Sequence, residues 1–196
     1  MNAHRLETDK DQIKMQLKGA LVLKVAAAML EIACKKGVSE GATIEGNGFG
    51  QGQGKGRFTF SQCVVPERPL CTVAEPITTN PLKSYLATAG TQTQGVEVFE
   101  PGQGSVLFTI FFNKGCGPFF EGAFGAAGVI AAEIIPTEAE VHEALIVLPS
   151  KRIGKVIHEG AELLLPEVKM IGAPATVSAA FGARLQSGEQ FGAYLK

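Results

Sequence analysis

The sequence predicts an α/β or α+β fold: a central mixed sheet with packed helices, a long N-terminal helix and one βαβ unit near the C-terminus. Three observations carry this reading. Apolar residues recur at steps of three or four over 13–32. Short apolar runs stand at 106–112 and 144–148. The final third reads as strand, helix, strand. The 196 residues are taken as one domain, with the proline-bearing connection 65–81 as its one candidate internal boundary.

The N-terminal helix rests on the stripe Ile13, Leu17, Leu21, Val25, Ala28 and Ile32. Leu23, Ala26, Met29, Leu30 and Ala33 widen it. Thr8 and Asp11 resemble a capping box. Lys35, Lys36 and Gly37 suit a helix C-terminus. The apolar stretch 19–33 is interrupted by Lys24 and Glu31 and falls short of the ~20 residues of a membrane span, so no membrane partner is expected.

Residues 46–57 read GNGFGQGQGKGR, with glycine at every second position. As an extended strand this stretch has one bare face that other groups can approach closely. As a mobile surface loop, which the cost of ordering six glycines favours over a strand, it carries no site. As an anion-binding loop, its free N–H groups and Lys55 and Arg57 suit an anion. As a nucleic-acid segment, Phe49 stacks and the two cations meet phosphate.

A strand follows at 58–65, with Phe58, Phe60, Gln62 and Val64 on one face. Asn80 and Pro81 are read as the start of a short helix over 81–89. Strands at 95–99 and 105–112 are read as a hairpin across Pro101-Gly102. A helix is read over 118–134, against the cost of Gly122, Gly125 and Gly128. The βαβ unit is a strand at 144–148, a helix from Ser150 through Leu164 and a strand at 167–171. In the tail, Phe181, Leu185, Phe191 and Tyr194 are read as docking groups.

The formal net charge of −1 provides no general attraction to nucleic acid or membrane. Low charge and 24 glycines point to self-association. Cys34, Cys63, Cys71 and Cys116 form no C-x-x-C pair, no metal cluster is legible, and the reading is of cytoplasmic thiols.

The leading candidate site is Asn113-Lys114-Gly115-Cys116-Gly117-Pro118. A loop after a central strand and before a helix offers backbone donors and a positive dipole end to an anion. Lys114 adds charge, and Cys116 is placed as a candidate nucleophile. His142 is the candidate base. Ser150, Lys151 and Arg152, at the start of the supposed third helix, are a second candidate anion site. The expected function is binding of a small anionic metabolite, with catalysis open and no cofactor identified, in an intracellular homo-oligomer. The alternatives are a self-assembling structural protein without an active site, and an RNA-binding regulator using residues 46–57.

Overall fold

The computed structural model describes residues 7–47, 52–89, 94–113, 115–117, 120–136, 140–149, 153–158, 161–164 and 168–192. Among these it contains fifteen strands, one three-residue 3-10 turn and no α-helix. In chain order the strands are β1 (Glu7–Leu17), β2 (Leu21–Val25), β3 (Leu30–Asn47), β4 (Gln53–Val64), β5 (Ile77–Thr78), β6 (Leu82–Ala89), β7 (Gln94–Pro101) and β8 (Val106–Phe112). They continue as β9 (Gly122–Ala127), β10 (Ile130–Ile135), β11 (Ala144–Leu148), β12 (Lys155–His158), β13 (Ala161–Leu164), β14 (Val168–Met170) and β15 (Ala173–Leu185). The α/β or α+β expectation, with its packed helices, long N-terminal helix and βαβ unit, is therefore overturned.

The N-terminal segment shows why. Ile13, Met15, Leu17, Leu21, Leu23 and Val25 are buried, whereas Lys14 and Gln16 between them are exposed. That is the period of two of a half-buried strand. A spacing of four fits both a helix and a strand, so Ile13, Leu17, Leu21 and Val25 satisfy either. Met15 and Leu23, two residues away from their neighbours in the row, separate the two readings. Ala26–Ala28 form the 3-10 turn between β2 and β3, and Met29, part of the supposed apolar face, is 77% exposed.

Eight strands close on themselves in the order β1, β3, β4, β6, β7, β10, β11, β15, with β15 pairing back to β1. Every pairing in this circuit is antiparallel. Closure removes the unpaired edges of an open sheet. β1 and β2 run in line against the same two neighbours, β3 and β15. β3, β4 and β15 extend beyond the barrel into a second sheet, where β15 pairs with β14, β14 with β9, and β9 with β8. The outer edge of β8 is taken by the 72–80 segment. Ala74 donates to the Phe111 carbonyl at 2.8 Å and Asn80 to that of Leu107 at 2.8 Å. Sheet pairing thus crosses the 65–81 connection.

The remaining corrections follow from this topology. The supposed helix at 81–89 is β6. The strands at 95–99 and 105–112 exist as β7 and β8 but do not pair: β7 lies between β6 and β10, and β8 pairs with β9. The supposed helix at 118–134 is the two strands β9 and β10, separated at Gly128, whose φ of 133° favours glycine. The expected βαβ helix is replaced by the antiparallel hairpin β12–β13, and β14 runs antiparallel to β15. This hairpin packs on the outside of the barrel, where Val156 joins Ala87, Val96 and Val98 in a small second core.

The main core fills the barrel and continues beneath the second sheet. Its centre is aromatic: the Phe181 ring lies 5.2 Å from Phe58 and 6.3 Å from Phe60, and Phe99 packs edge-on to Phe58 at 6.0 Å. Phe181, Leu185 and Phe191 are buried, as expected of docking groups, and Tyr194 lies outside the described residues.

Candidate binding cavity in the barrel

The two ends of the long strands differ in construction. At the end marked by the Ala26–Ala28 turn, both pairs of cysteines are joined. Cys34 and Cys63 face each other across β3 and β4 and are bonded, and Cys71 is bonded to Cys116. No cysteine remains free, which overturns the expectation that the four cysteines are thiols.

The loop that sequence reasoning favoured is part of this fastening. Cys116 is held as a disulfide, so its sulfur is not a thiolate nucleophile. The Asn113 amide Nδ2 donates to Thr72 Oγ1 at 3.0 Å, and its backbone N–H to the Thr72 carbonyl at 2.9 Å. Arg68 donates to the Cys116 carbonyl at 3.1 Å and lies 4.1 Å from the centre of the Phe120 ring. Gly115 and Gly117 have φ of 102° and 88°. A Cβ on Gly115 would stand 2.6 Å from the Leu70 carbonyl oxygen, so this glycine makes room for protein backbone. The helix whose dipole was to serve the site is absent, because β9 follows instead. Lys114 lies outside the described residues, as do Ser150, Lys151 and Arg152.

His142 is exposed and its Nδ1 donates to the Gly188 carbonyl at 3.1 Å. It precedes β11 at the opposite end of the barrel from Cys116, so the two do not form a pair. Lys55 and Arg57 are exposed on the outer face of β4. Arg57 stands opposite Glu40, and Lys55 between Thr43 and Lys83. Phe49 is outside the described residues.

At the other end of the long strands the barrel has a mouth, framed by Pro136 and by the bridge between Val141 and Phe191. It opens into a cavity of about 80 Å³ walled mainly by apolar side chains, including Ile13, Ile44, Leu86, Ile134 and Ile146. Further along the interior lies a second cavity of about 50 Å³ among Phe58, Phe99, Phe108 and Phe181. A narrow gap shares Ile44 and Glu97 with the first cavity and Phe58, Leu82 and Phe99 with the second.

Glu97 lines the mouth cavity from β7 and is only 8% exposed. Its neighbours Val96 and Val98 point outward into the second core, which leaves Glu97 on the inner face with Phe99. Burial holds its carboxyl above the usual glutamate value, since charge is poorly solvated there, while a hydrogen bond from the Ser84 hydroxyl acts in the other direction.

The alternating glycines make space for this pair. In the described part of the stretch, Gly52 and the β4 residues Gly54 and Gly56 turn their bare face inward. This is the extended-strand reading of residues 46–57. A Cβ at Gly54 would collide with Ser84 Oγ and stand 3.6 Å from Glu97 Oε1. One at Gly56 would fall 2.8 Å from the Ala42 Cα, and one at Gly52 would fall 2.8 Å from Leu86 Cδ1. Sequence reasoning missed Glu97. Its signal was a lone acid within Val96-Glu97-Val98-Phe99, on the strand face that carries Phe99.

The fold and the site together define an all-β barrel protein with an internal cavity that holds one buried acid. Comparisons with protein-family models, with curated proteins and with solved structures find no match. Among the described residues, no group of three or more His, Cys, Asp and Glu is placed to hold a metal ion, and no helix is long and apolar enough to cross a membrane.

Proposed function

We propose that this chain binds a small, largely apolar molecule in the mouth of its barrel. The observation that carries the reading is the apolar cavity of about 80 Å³ with Glu97 and Ser84 in or beside its wall. An eight-stranded barrel is just wide enough to be filled by side chains or to hold one small ligand. Ligand sites characteristically combine an apolar lining with a few polar groups that orient the guest. Of the expected binding of a small anionic metabolite, this proposal keeps the small molecule but neither the anionic guest nor the site. A buried acid disfavours a small anion, so the cavity favours a neutral or cationic guest.

Methyl NMR of the full chain tests this with a set of small apolar compounds. The expected result is that the Ile44, Ile134 and Ile146 methyls shift together, and that Val141→Trp, which narrows the mouth, removes the response. Shifts confined to Val25 and Ile32 at the far end, or no response at all, would contradict it.

The two disulfides support an oxidising working environment in place of the cytoplasmic one expected from the sequence. A second reading, self-assembly with copies of this chain, is favoured by apolar side chains left in solvent: Leu70 is 83% exposed and Phe111 55%. Sedimentation of the native chain and of Leu70→Lys measures it. A concentration-dependent oligomer that Leu70→Lys dissociates supports assembly, and a monomer at all concentrations rejects it.

A further inference from the structure

The position of one acid in the wall of an otherwise apolar cavity bears on what kind of guest enters. We infer that the mouth cavity takes a primary amine on an aliphatic or aromatic body, with its ammonium group at Glu97 and its apolar body along the barrel interior. This rests on the proposal that the cavity binds small molecules.

The cavity supplies both halves of such a site. Glu97 is more than nine-tenths buried, and its Oε1 lies beside the bare face of Gly54, next to Ser84 Oγ. Ser84 is buried beside it and occupies one acceptor position. A carboxylate has about four lone-pair positions, so others are left for the N–H donors of an ammonium group. Charge-assisted hydrogen bonds of this kind are the strong ones.

The sign of the mouth lining agrees. The described residues lining the mouth cavity include Glu97 and no Lys, Arg or His, whereas the narrow gap beyond it also counts Lys55, Arg57 and Lys83 in its lining. Apolar walls concentrate the field of the Glu97 carboxylate and draw a cation inward. A buried charge is tolerated when it is paired and hydrogen-bonded, and here each partner would pair the other.

The charged groups on the strands packed around Glu97 are few. Glu45 of β3 stands at the rim. Lys55 and Arg57 of β4 and Lys83 of β6 are exposed, and all three also border the narrow gap next to Glu97. Glu133 of β10 stands opposite Val96, on the face away from Glu97.

Inward of Glu97 the narrow gap shares Phe58, Leu82 and Phe99 with the second cavity, which is lined almost wholly by apolar side chains. That direction suits the hydrocarbon part of the guest. Because burial raises the Glu97 carboxyl, an entering ammonium favours its ionised form and drives off a proton. Amine affinity is then expected to fall as pH is lowered through the Glu97 titration, while the affinity of an uncharged analogue stays flat.

The experiment is calorimetric titration of the full, disulfide-intact chain with hexylamine, hexan-1-ol and hexanoate. Hexylamine is expected to bind at least about tenfold more tightly than hexan-1-ol. Glu97→Gln is expected to abolish that preference by weakening hexylamine more than hexan-1-ol. If this variant fails to fold, the pH dependence in the native chain makes the same distinction. Equal binding of amine and alcohol overturns the amine assignment and leaves the cavity as a ligand site. Preference for hexanoate overturns it in favour of an anionic guest. Binding of none of the three overturns both the assignment and the cavity reading.

Discussion

The two ends of the long strands β3, β4 and β15 are stabilised in different ways. At the turn end, Cys34–Cys63 and Cys71–Cys116 join neighbouring segments, and Arg68, Asn113 and Thr72 add hydrogen bonds around the second bridge. At the mouth end there is no cysteine. That end keeps an open cavity, a buried acid and a strand stripped of inward side chains at Gly54 and Gly56. The contrast indicates a division of labour. Covalent closure stabilises one end, so the other can tolerate empty volume and a poorly solvated carboxyl, both of which cost stability.

The largest effect expected from this comparison is on the cross-linked end. Replacing Cys71 and Cys116 together by serine removes a bridge that closes a 45-residue separation. The expected loss is about 4 kcal/mol in urea unfolding, on a chain-entropy account of disulfides. The amine preference at the mouth is expected to survive within about twofold, provided the variant is assayed well below its unfolding midpoint. Loss of both together would mean the two ends do not act separately.

Next comes the glycine face. Gly54→Val places a branched side chain against Ser84 and Glu97 and is expected to cost about 1–3 kcal/mol through overpacking, with loss of guest binding. Gly154 is exposed, and a Cβ there would meet nothing within 4 Å, so Gly154→Ala is expected to stay within about 0.5 kcal/mol. Thermal unfolding of the two variants compares them directly.

The smallest effect is on pH dependence. Glu97 titrates higher in the folded chain than in the unfolded one, so the unfolded chain is the readier to ionise. Its contribution favours the fold most fully below the ordinary glutamate range and is lost as pH rises through the raised value. Glu97→Gln is expected to flatten that part of the stability–pH curve. An unchanged slope would place the carboxyl in solvent.

Parts of this molecule were legible in its sequence. The strands at 58–65, 95–99, 105–112 and 144–148 were found from short apolar runs, and the docking of Phe181, Leu185 and Phe191 from their place in a small-residue tail. Helices were assigned where apolar residues fall four apart, since that spacing is shared by both periodicities. Met15 and Leu23 held the deciding signal. Strand pairing was beyond local pattern: nothing between Phe99 and Val106 indicates that β7 and β8 belong to different sheets. The disulfides were hidden for the same reason, because Cys34 and Cys63 meet only through the β3–β4 register. The bare glycine face was one of several open readings of residues 46–57, beside a surface loop, an anion-binding loop and a nucleic-acid segment. Its role was not legible, because Ser84 and Glu97 reach it from β6 and β7.

The most direct test of the central claim is a ¹³C NMR titration of the Glu97 side-chain carboxyl, assigned by comparison with Glu97→Gln. The account expects a midpoint above the ordinary glutamate value of 4.5, moving downward when hexylamine is added. A carboxyl that titrates in the ordinary range and ignores hexylamine would contradict both the burial of Glu97 and its part in a binding cavity.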